Sequence, residues 1–412
     1  LVNKIKCSNR NESEKINFYN SIKNQNISSS KIFGFPFTNN IDLNKNFLSN
    51  EAKSFTINEY IFNNLINLEN EKTQNPETII DFSSNEYGEL KINFTRNLAL
   101  STQRKNVALN NQKMQKESIY DNILMIFLSS TSRAHFQRAM PKLSKFIAKL
   151  MGYEPFPVMT AYQFSKYNNF PFTEDNIQSM FYKKSVNNTY INSLKIFKEN
   201  GYVTGQVTDK CEKKLENIKN SEEFDHENYA YLCDPNYINK EKSPYERCLY
   251  GKPVSEYMIN YATEFWDKYS ENKKFFKMTF NYGNEPTGNV LTYLDQPLYD
   301  MISQLYNNGK LKNTAVFFVS EQGNKNNGLY DILGSAEFEL EKKYGLFIMM
   351  LDWNDKFKNS DFHKNLLKNQ NIYTSPYDVY ESMMHIALGN ATYSNLNENN
   401  KIDIGDIVLV SR

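Results

Sequence analysis

Two stretches of this chain are apolar almost without interruption and are bounded by polar residues: Asn122–Ser129 (NILMIFLS) and Thr314–Ser320 (TAVFFVS). A strand reads that way when both its faces are covered, because a half-exposed strand alternates apolar and polar positions. Gly345–Leu351 is a third run of the same kind. Strands are also predicted at Tyr202–Val207 and Phe275–Tyr282. Apolar spacing predicts helices over Phe136–Met151, Phe172–Lys184 and Tyr190–Glu199, the last stopping before Gly201, a natural cap. Val254–Tyr269 is amphipathic, with Tyr257, Met258, Tyr261, Ala262, Phe265 and Trp266 on one side. Further helices are expected at Pro297–Asn307 and Ser375–Leu388, where Pro376 occupies the first turn and its missing N–H costs nothing. Strands alternate with helices, so the class is α/β with a largely parallel sheet.

Residues 1–90 contrast with this pattern. They are polar and Asn-rich, with short apolar patches and no clear period, and read as an irregular extension packed on the main domain at 91–412. No internal repeat and no Gly/Ser- or Pro-rich linker divides the chain. With 40% hydrophobic and 23% charged residues the composition is that of a globular protein. Lys and Arg total 48 against 47 for Asp and Glu, a balance that excludes a general nucleic-acid binder. No apolar run approaches the roughly 18 residues of a membrane span.

Compartment signals come from cysteines and sequons. Cys7, Cys211, Cys233 and Cys248 are an even set that fits two disulfides, and none lies in a zinc-type spacing. Asn11, Asn26, Asn93, Asn187 and Asn390 each open an N-x-[ST] sequon. The chain opens at Leu1, so either a signal peptide has been removed or the sequence is a piece of a longer chain. Together these point to a secreted or lumenal glycoprotein.

Ligands of open α/β sheets sit at the carboxyl ends of strands. Those ends here carry Ser129-Ser130-Thr131-Ser132-Arg133 and Ser320-Glu321-Gln322-Gly323. At these segments and four others the chain resembles the sulfatase-like family of secreted proteins of unassigned function, within the alkaline phosphatase superfamily. Residues 122–141 are similar to its first strand, DSxSR turn and following helix, and 161–171 (AYQFSKYNNFP) to its GYNKVGDNTFPN segment. Residues 200–211 match a GY-strand ending near a cysteine, and 248–270 a C-x-G start and helix. Residues 310–323 (KLKNTAVFFVSEQG) match the strand ending in SDHG, and 369–388 the TTPFDI helix. The six segments are collinear and span roughly residues 90–412. The resemblance implies an alkaline-phosphatase/sulfatase-like fold, a mixed and mostly parallel sheet sandwiched by helices. It also implies that Cys211 pairs with Cys248, leaving Cys7 with Cys233.

The superfamily hydrolyses phosphate or sulfate esters with one or two divalent metals and a Thr, Ser or modified Cys nucleophile. Here the chemistry-bearing positions are substituted. The metal-binding Asp of DSxSR falls on Ser129, and the nucleophilic Thr on Asn169, which has no ionisable nucleophile. The acidic residue two positions earlier falls on Tyr167, and the Asp-His pair of SDHG on Glu321-Gln322. Asn281–Asn289, where an acid and a His are expected, offers only Glu285 as a conventional ligand. Arg133 keeps the family's arginine and is expected in a structural ion pair. The four histidines, His135, His226, His363 and His385, fall on no matched ligand position and are expected in structural roles.

The expected function is therefore that of a catalytically inactive sulfatase- or phosphatase-like extracellular glycoprotein with a binding or structural-assembly role. No cofactor is expected. Its partners are expected to be other proteins or glycans, a homo-oligomer or filament among them. One alternative is a metal-dependent phosphate or sulfate ester hydrolase holding zinc or calcium through Glu285 and Glu321. A carbohydrate-binding protein is the other. Tyr282, Tyr293, Tyr299, Tyr306 and Tyr330 lie near the vestigial cleft in sequence and suggest a sugar or protein surface.

Overall fold

The computed structural model describes residues 98, 100, 102–114, 118–151, 159–169, 173–184, 190–209, 224–228, 248–249, 252–285, 288–323 and 336–399, with short strands between 31 and 96. Seven strands make the central sheet: β1 (Asn122–Leu128), β2 (Met159–Gln163), β3 (Val203–Thr208), β4 (His226–Asn228), β5 (Lys274–Phe280), β6 (Thr314–Val319) and β7 (Phe347–Asp352). Their order is β4-β3-β5-β1-β6-β7-β2. Neighbours from β4 to β6 are parallel, and β7 is antiparallel to both β6 and β2. The sheet is thus mixed and mostly parallel, and β1 and β6 lie side by side in its middle.

Both faces are covered. Leu124, Ile126 and Leu128 point to one face, with Phe276, Met278, Val316 and Phe318. Helices α2 (Arg133–Ala139), α3 (Pro141–Ala148), α6 (Val254–Lys268) and α7 (Asp295–Asn307) pack there. Ile123, Met125 and Phe127 point to the other, with Phe275, Phe317 and Met349. There α4 (Thr173–Phe181), α5 (Ser193–Glu199), α10 (Asp361–Asn369) and α11 (Pro376–Asn399) close the layer. This is why the central strands are apolar at nearly every position: each alternate residue enters a different core.

Boundaries differ from the sequence-based expectation in instructive places. The helix expected over Phe136–Met151 is two helices, α2 and α3, because Pro141 opens a new first turn after Met140. The helices expected at Phe172–Lys184 and Tyr190–Glu199 each give up three residues to an antiparallel pair, Tyr182–Lys184 with Tyr190–Asn192. The final helix runs past Leu388, bending at Gly389, where φ is 77°. In the Asn-rich N-terminal region, where the sequence shows no period, Ser54–Asn58, Thr78–Ser84 and Leu90–Arg96 form a three-stranded antiparallel sheet. Four of the described helices were not expected from the sequence: α1 (Thr102–Met114), α8 (Ala336–Lys343), α9 (Asp355–Lys358) and α10.

A buried ion pair fixes α1 to the sheet edge. Arg104 donates from Nε and from a terminal nitrogen to Asp225 at 2.7 and 2.9 Å, and to the Tyr202 carbonyl at 2.6 Å. Burial by itself would raise the Asp225 carboxyl. The Arg104 hydrogen bonds and the nearby Lys198 outweigh it and hold the group below its ordinary value. Replacing Arg104 by Met leaves a buried carboxylate without its main partner, and is expected to cost about 3–5 kcal/mol at neutral pH. A depressed folded-state pKa contributes stability above the unfolded value that is lost as pH falls through the folded one. The deficit of Arg104→Met, read by urea unfolding, should therefore shrink on acidification below the normal carboxylate range.

Candidate functional site

Three chain turns meet at the carboxyl ends of the parallel strands: Ser129–Ser132 after β1, Ser320–Gly323 after β6, and the 3-10 turn Tyr282–Asn284 after β5. The parallel register pairs Phe127 with Val319 and Leu128 with Phe280, so the three exits are adjacent. Gly283 lies so close to the first turn that a Cβ on it would stand 2.2 Å from the Ser129 carbonyl oxygen. Only glycine permits that approach. Ser130 adopts φ 52°, an uncommon conformation for a residue with a side chain.

The Glu321 carboxylate holds this turn in place. The Ser129 hydroxyl donates to its Oε1 at 2.6 Å, and the Ser130 backbone N–H reaches Oε1 and Oε2 at 3.1 and 3.2 Å. Gln322 donates from Nε2 to the Ser130 hydroxyl at 2.9 Å, and that hydroxyl donates in turn to Asn284 Oδ1. Asn284 Nδ2 closes the ring on Ser129 Oγ at 3.1 Å. Asp209 supports the next shell by accepting from the backbone and side-chain amides of Asn281. Glu321 is 1% exposed. Burial pushes its carboxyl above the ordinary value, and the hydrogen bonds from Ser129 and Ser130 offset only part of this.

Ser129, Glu321 and Gln322 are thus brought into one cluster. Asn169 stands beside it. A Cβ on Gly345 would lie 2.7 Å from Asn169 Nδ2, and Gly345 bridges to Ser132 of the β1 turn. Both polar atoms of the Asn169 side chain are buried without a hydrogen-bond partner, as are Tyr167 Oη and Thr374 Oγ1. Tyr167 and Thr374 are register partners, and a Cβ on Gly345 would meet both the Asn169 amide and the Tyr167 ring. Burial raises the Tyr167 hydroxyl well above its usual range, with Glu321 and Asp378 adding to the effect.

From the Asn281–Asn289 segment it is Asn284 that reaches the Ser129–Glu321 cluster, whereas the sequence reading had singled out Glu285. Glu285 is buried, and its charge acts on His135. The residues that the sequence reading missed are Asn284 and Ser130, because amides and hydroxyls attract no attention in a search for ligands. Among the described residues Arg133 makes no ion pair. Its neighbour Arg138 makes one instead, to both carboxylate oxygens of Glu341 at 2.6 and 2.8 Å.

His135 donates from Nε2 to the Gly288 carbonyl at 2.7 Å. His226, in sequence part of an acidic loop, is buried in β4 with Nε2 2.7 Å from Tyr269 Oη. His363 packs edge-on to Trp353 with ring centres 5.0 Å apart, and His385 is buried in α11. The tyrosines expected to form a surface lie elsewhere: Tyr282 is buried, and Tyr293, Tyr299 and Tyr306 pack on the core. Tyr330 lies outside the described residues. So do Asn11, Asn26, Asn187, Cys7, Cys211 and Cys233, while Asn93, Cys248 and Asn390 have only their backbone described, in strands and the last helix.

A divalent cation does not fit this cluster. The four positions offer a hydroxyl, two carboxamides and one carboxylate, and that carboxylate already accepts protein hydrogen bonds. Hard cations require several anionic or carbonyl oxygens, and zinc requires imidazole, thiolate or carboxylate. Among the described residues no three His, Cys, Asp or Glu side chains gather as a metal site. Removing the Ser129 hydroxyl takes a donor from a buried carboxylate, so Ser129→Ala should lower unfolding free energy by about 1–3 kcal/mol. Urea denaturation measures this directly, and an unchanged midpoint would remove the cluster's structural role.

The family model described as "Protein of unknown function (DUF229)" matches residues 2–405. No curated protein matches the chain. Among solved structures, the C-terminal periplasmic domain of EcEptC from Escherichia coli is similar at 12% identity and a TM-score of 0.46, over 67% of this chain and 84% of that one. An alkaline phosphatase superfamily protein from Vibrio parahaemolyticus is 12% identical at 0.43, over 71% and 77%. The lipoteichoic acid synthase LtaP from Listeria monocytogenes is 14% identical at 0.40, over 69% and 80%.

Proposed function

The chain belongs to that family of unknown function, and from this premise we propose that it is a catalytically inactive sulfatase-like protein that works outside the cell by binding. The observation that supports the reading is the Glu321 carboxylate. It is the one acidic group among the four substituted positions, and it is occupied by the Ser129 hydroxyl and the Ser130 N–H. Ester hydrolysis on such a frame needs an activated nucleophile and a positive centre that stabilises the developing charge. Asn169 supplies neither, and Gln322 cannot take up or release a proton near neutral pH.

A binding role is supported by the rim of the same site. Tyr373 is 56% exposed and carries the Lys166 ammonium 5.3 Å above its ring. Lys343 lies 5.6 Å from the neighbouring Tyr344 ring, and Asn168 bridges to Tyr344. An aromatic and cationic rim of this kind suits a partner protein or a glycan. An extracellular location agrees with the sequons and cysteines. Among the described residues no helix is long and apolar enough to cross a membrane.

Elemental analysis of the native protein for zinc, calcium, magnesium and manganese, with assays on aryl phosphate and aryl sulfate esters, tests the proposal. The expected result is neither stoichiometric metal nor turnover above the protein-free rate. One or two metals per chain, with turnover abolished by Glu321→Gln, would overturn it. Digestion with a peptide N-glycanase should lower the mass of protein from its natural source, and an unchanged mass would refute the glycoprotein reading.

A further inference from the structure

At the opposite end of the sheet, about 20 Å away along the seven residues of β1, the amino ends of β1, β5 and β6 open into a cavity of about 560 Å³. Two consecutive buried lysines head β5 there. Lys273 and Lys274 are 4% and 2% exposed. Successive strand residues face opposite ways, so they enter different surroundings. Lys273 donates to Ser118 Oγ at 2.9 Å, lies 3.6 Å from Asp121 and stands over the Tyr202 ring. Lys274 has much less. Its Nζ donates to the Tyr269 carbonyl at 3.1 Å and lies 4.8 Å from the centre of the Trp266 ring. It makes no ion pair among the described residues.

An ammonium has three N–H donors, and burying one incompletely satisfied is costly. Lys274 uses one donor on a protein acceptor while lining the cavity. The charges around it are largely matched. Asp121 is taken by Lys273, and Asp267 by Lys310 at 2.6 Å. Lys274, Lys312 and Glu271 remain on the wall, an excess of one positive charge. We propose that this cavity binds a small molecule through an oxyanion head, a carboxylate or a phosphate, which accepts from Lys274 and draws on Lys312. The site is distinct from the Ser129–Glu321 cluster and does not depend on the reading of that cluster.

Burial pushes the Lys274 ammonium down to about 8, against the opposing pull of Asp121, Glu271 and Asp267. An anion in the cavity favours the charged form, so binding should take up protons and weaken as pH rises through about 8. Lys273, Lys310 and Lys312 also face the site, and their charges set the baseline that Lys274 modulates.

Isothermal titration of the full chain with inorganic phosphate and with citrate, at fixed ionic strength in chloride, tests this. Saturable binding of either probe is expected, and the probe that binds identifies the head group. Lys274→Met should weaken it by roughly tenfold or more, the loss of one charge-assisted hydrogen bond, and should flatten the pH dependence between 7 and 9. Lys312→Ala should weaken it by a smaller factor. Unfolding curves confirm that both variants fold. Failure of both probes to bind wild-type protein, or binding by Lys274→Met equal to wild type, would overturn the proposal.

Discussion

The parallel pairing of β1 with β6 is the constraint from which the site follows. Thr314 pairs with Asn122 and Val319 with Phe127, and every rung from Ile123–Ala315 onward is buried. A slip of one residue would turn every side chain of a strand into the wrong core. The register is therefore fixed by packing, and it delivers Ser129 and Glu321 to the same end of the sheet as neighbours. Whatever residues stand at those two positions must interact. A hydroxyl and a carboxylate do so as donor and acceptor, and the Ser130 N–H adds to them, which helps hold the left-handed turn at Ser130.

The fold was legible because its core is built from uninterrupted strands and from one strongly amphipathic helix. Val254–Lys268 buries the same six residues that the sequence placed on one side. Legibility failed where tertiary contacts decide. β2 (MTAYQ) is short, with Thr160 and Gln163 in it, and gains strand character only from its pairing with β7. α1 is polar along most of its length, and the Arg104–Asp225 pair that anchors it joins residues 121 positions apart. No local pattern announces such a contact. The burial of His226 was not legible for a related reason. Its acidic neighbours suggested solvent, but a three-residue edge strand turns it inward against Phe265 and Tyr269.

At the site, Ser129, Glu321 and Gln322 were readable one at a time, but their mutual satisfaction was not. Asn281, Asn284 and Ser130 carry no ionisable group, so nothing in the sequence distinguishes them from ordinary loop residues. Their significance is collective: a closed ring of hydrogen bonds in a buried setting, where each member satisfies another's polar atom. Without the Ser129 and Ser130 donors Glu321 would be a lone buried charge. Amide and hydroxyl partners are the substitutions that fit a carboxylate needing donors.

The neighbouring polar spot completes the contrast. Tyr167, Asn169 and Thr374 present buried oxygen and nitrogen atoms with no protein partner, although a core this dense could have been closed with apolar side chains. Unsatisfied buried polar groups cost free energy unless water or a ligand meets them. The Ser129–Glu321 ring satisfies itself, whereas this spot beside it does not. The fold thus carries a satisfied network around Glu321 and, next to it, buried polar atoms that the protein leaves unpaired.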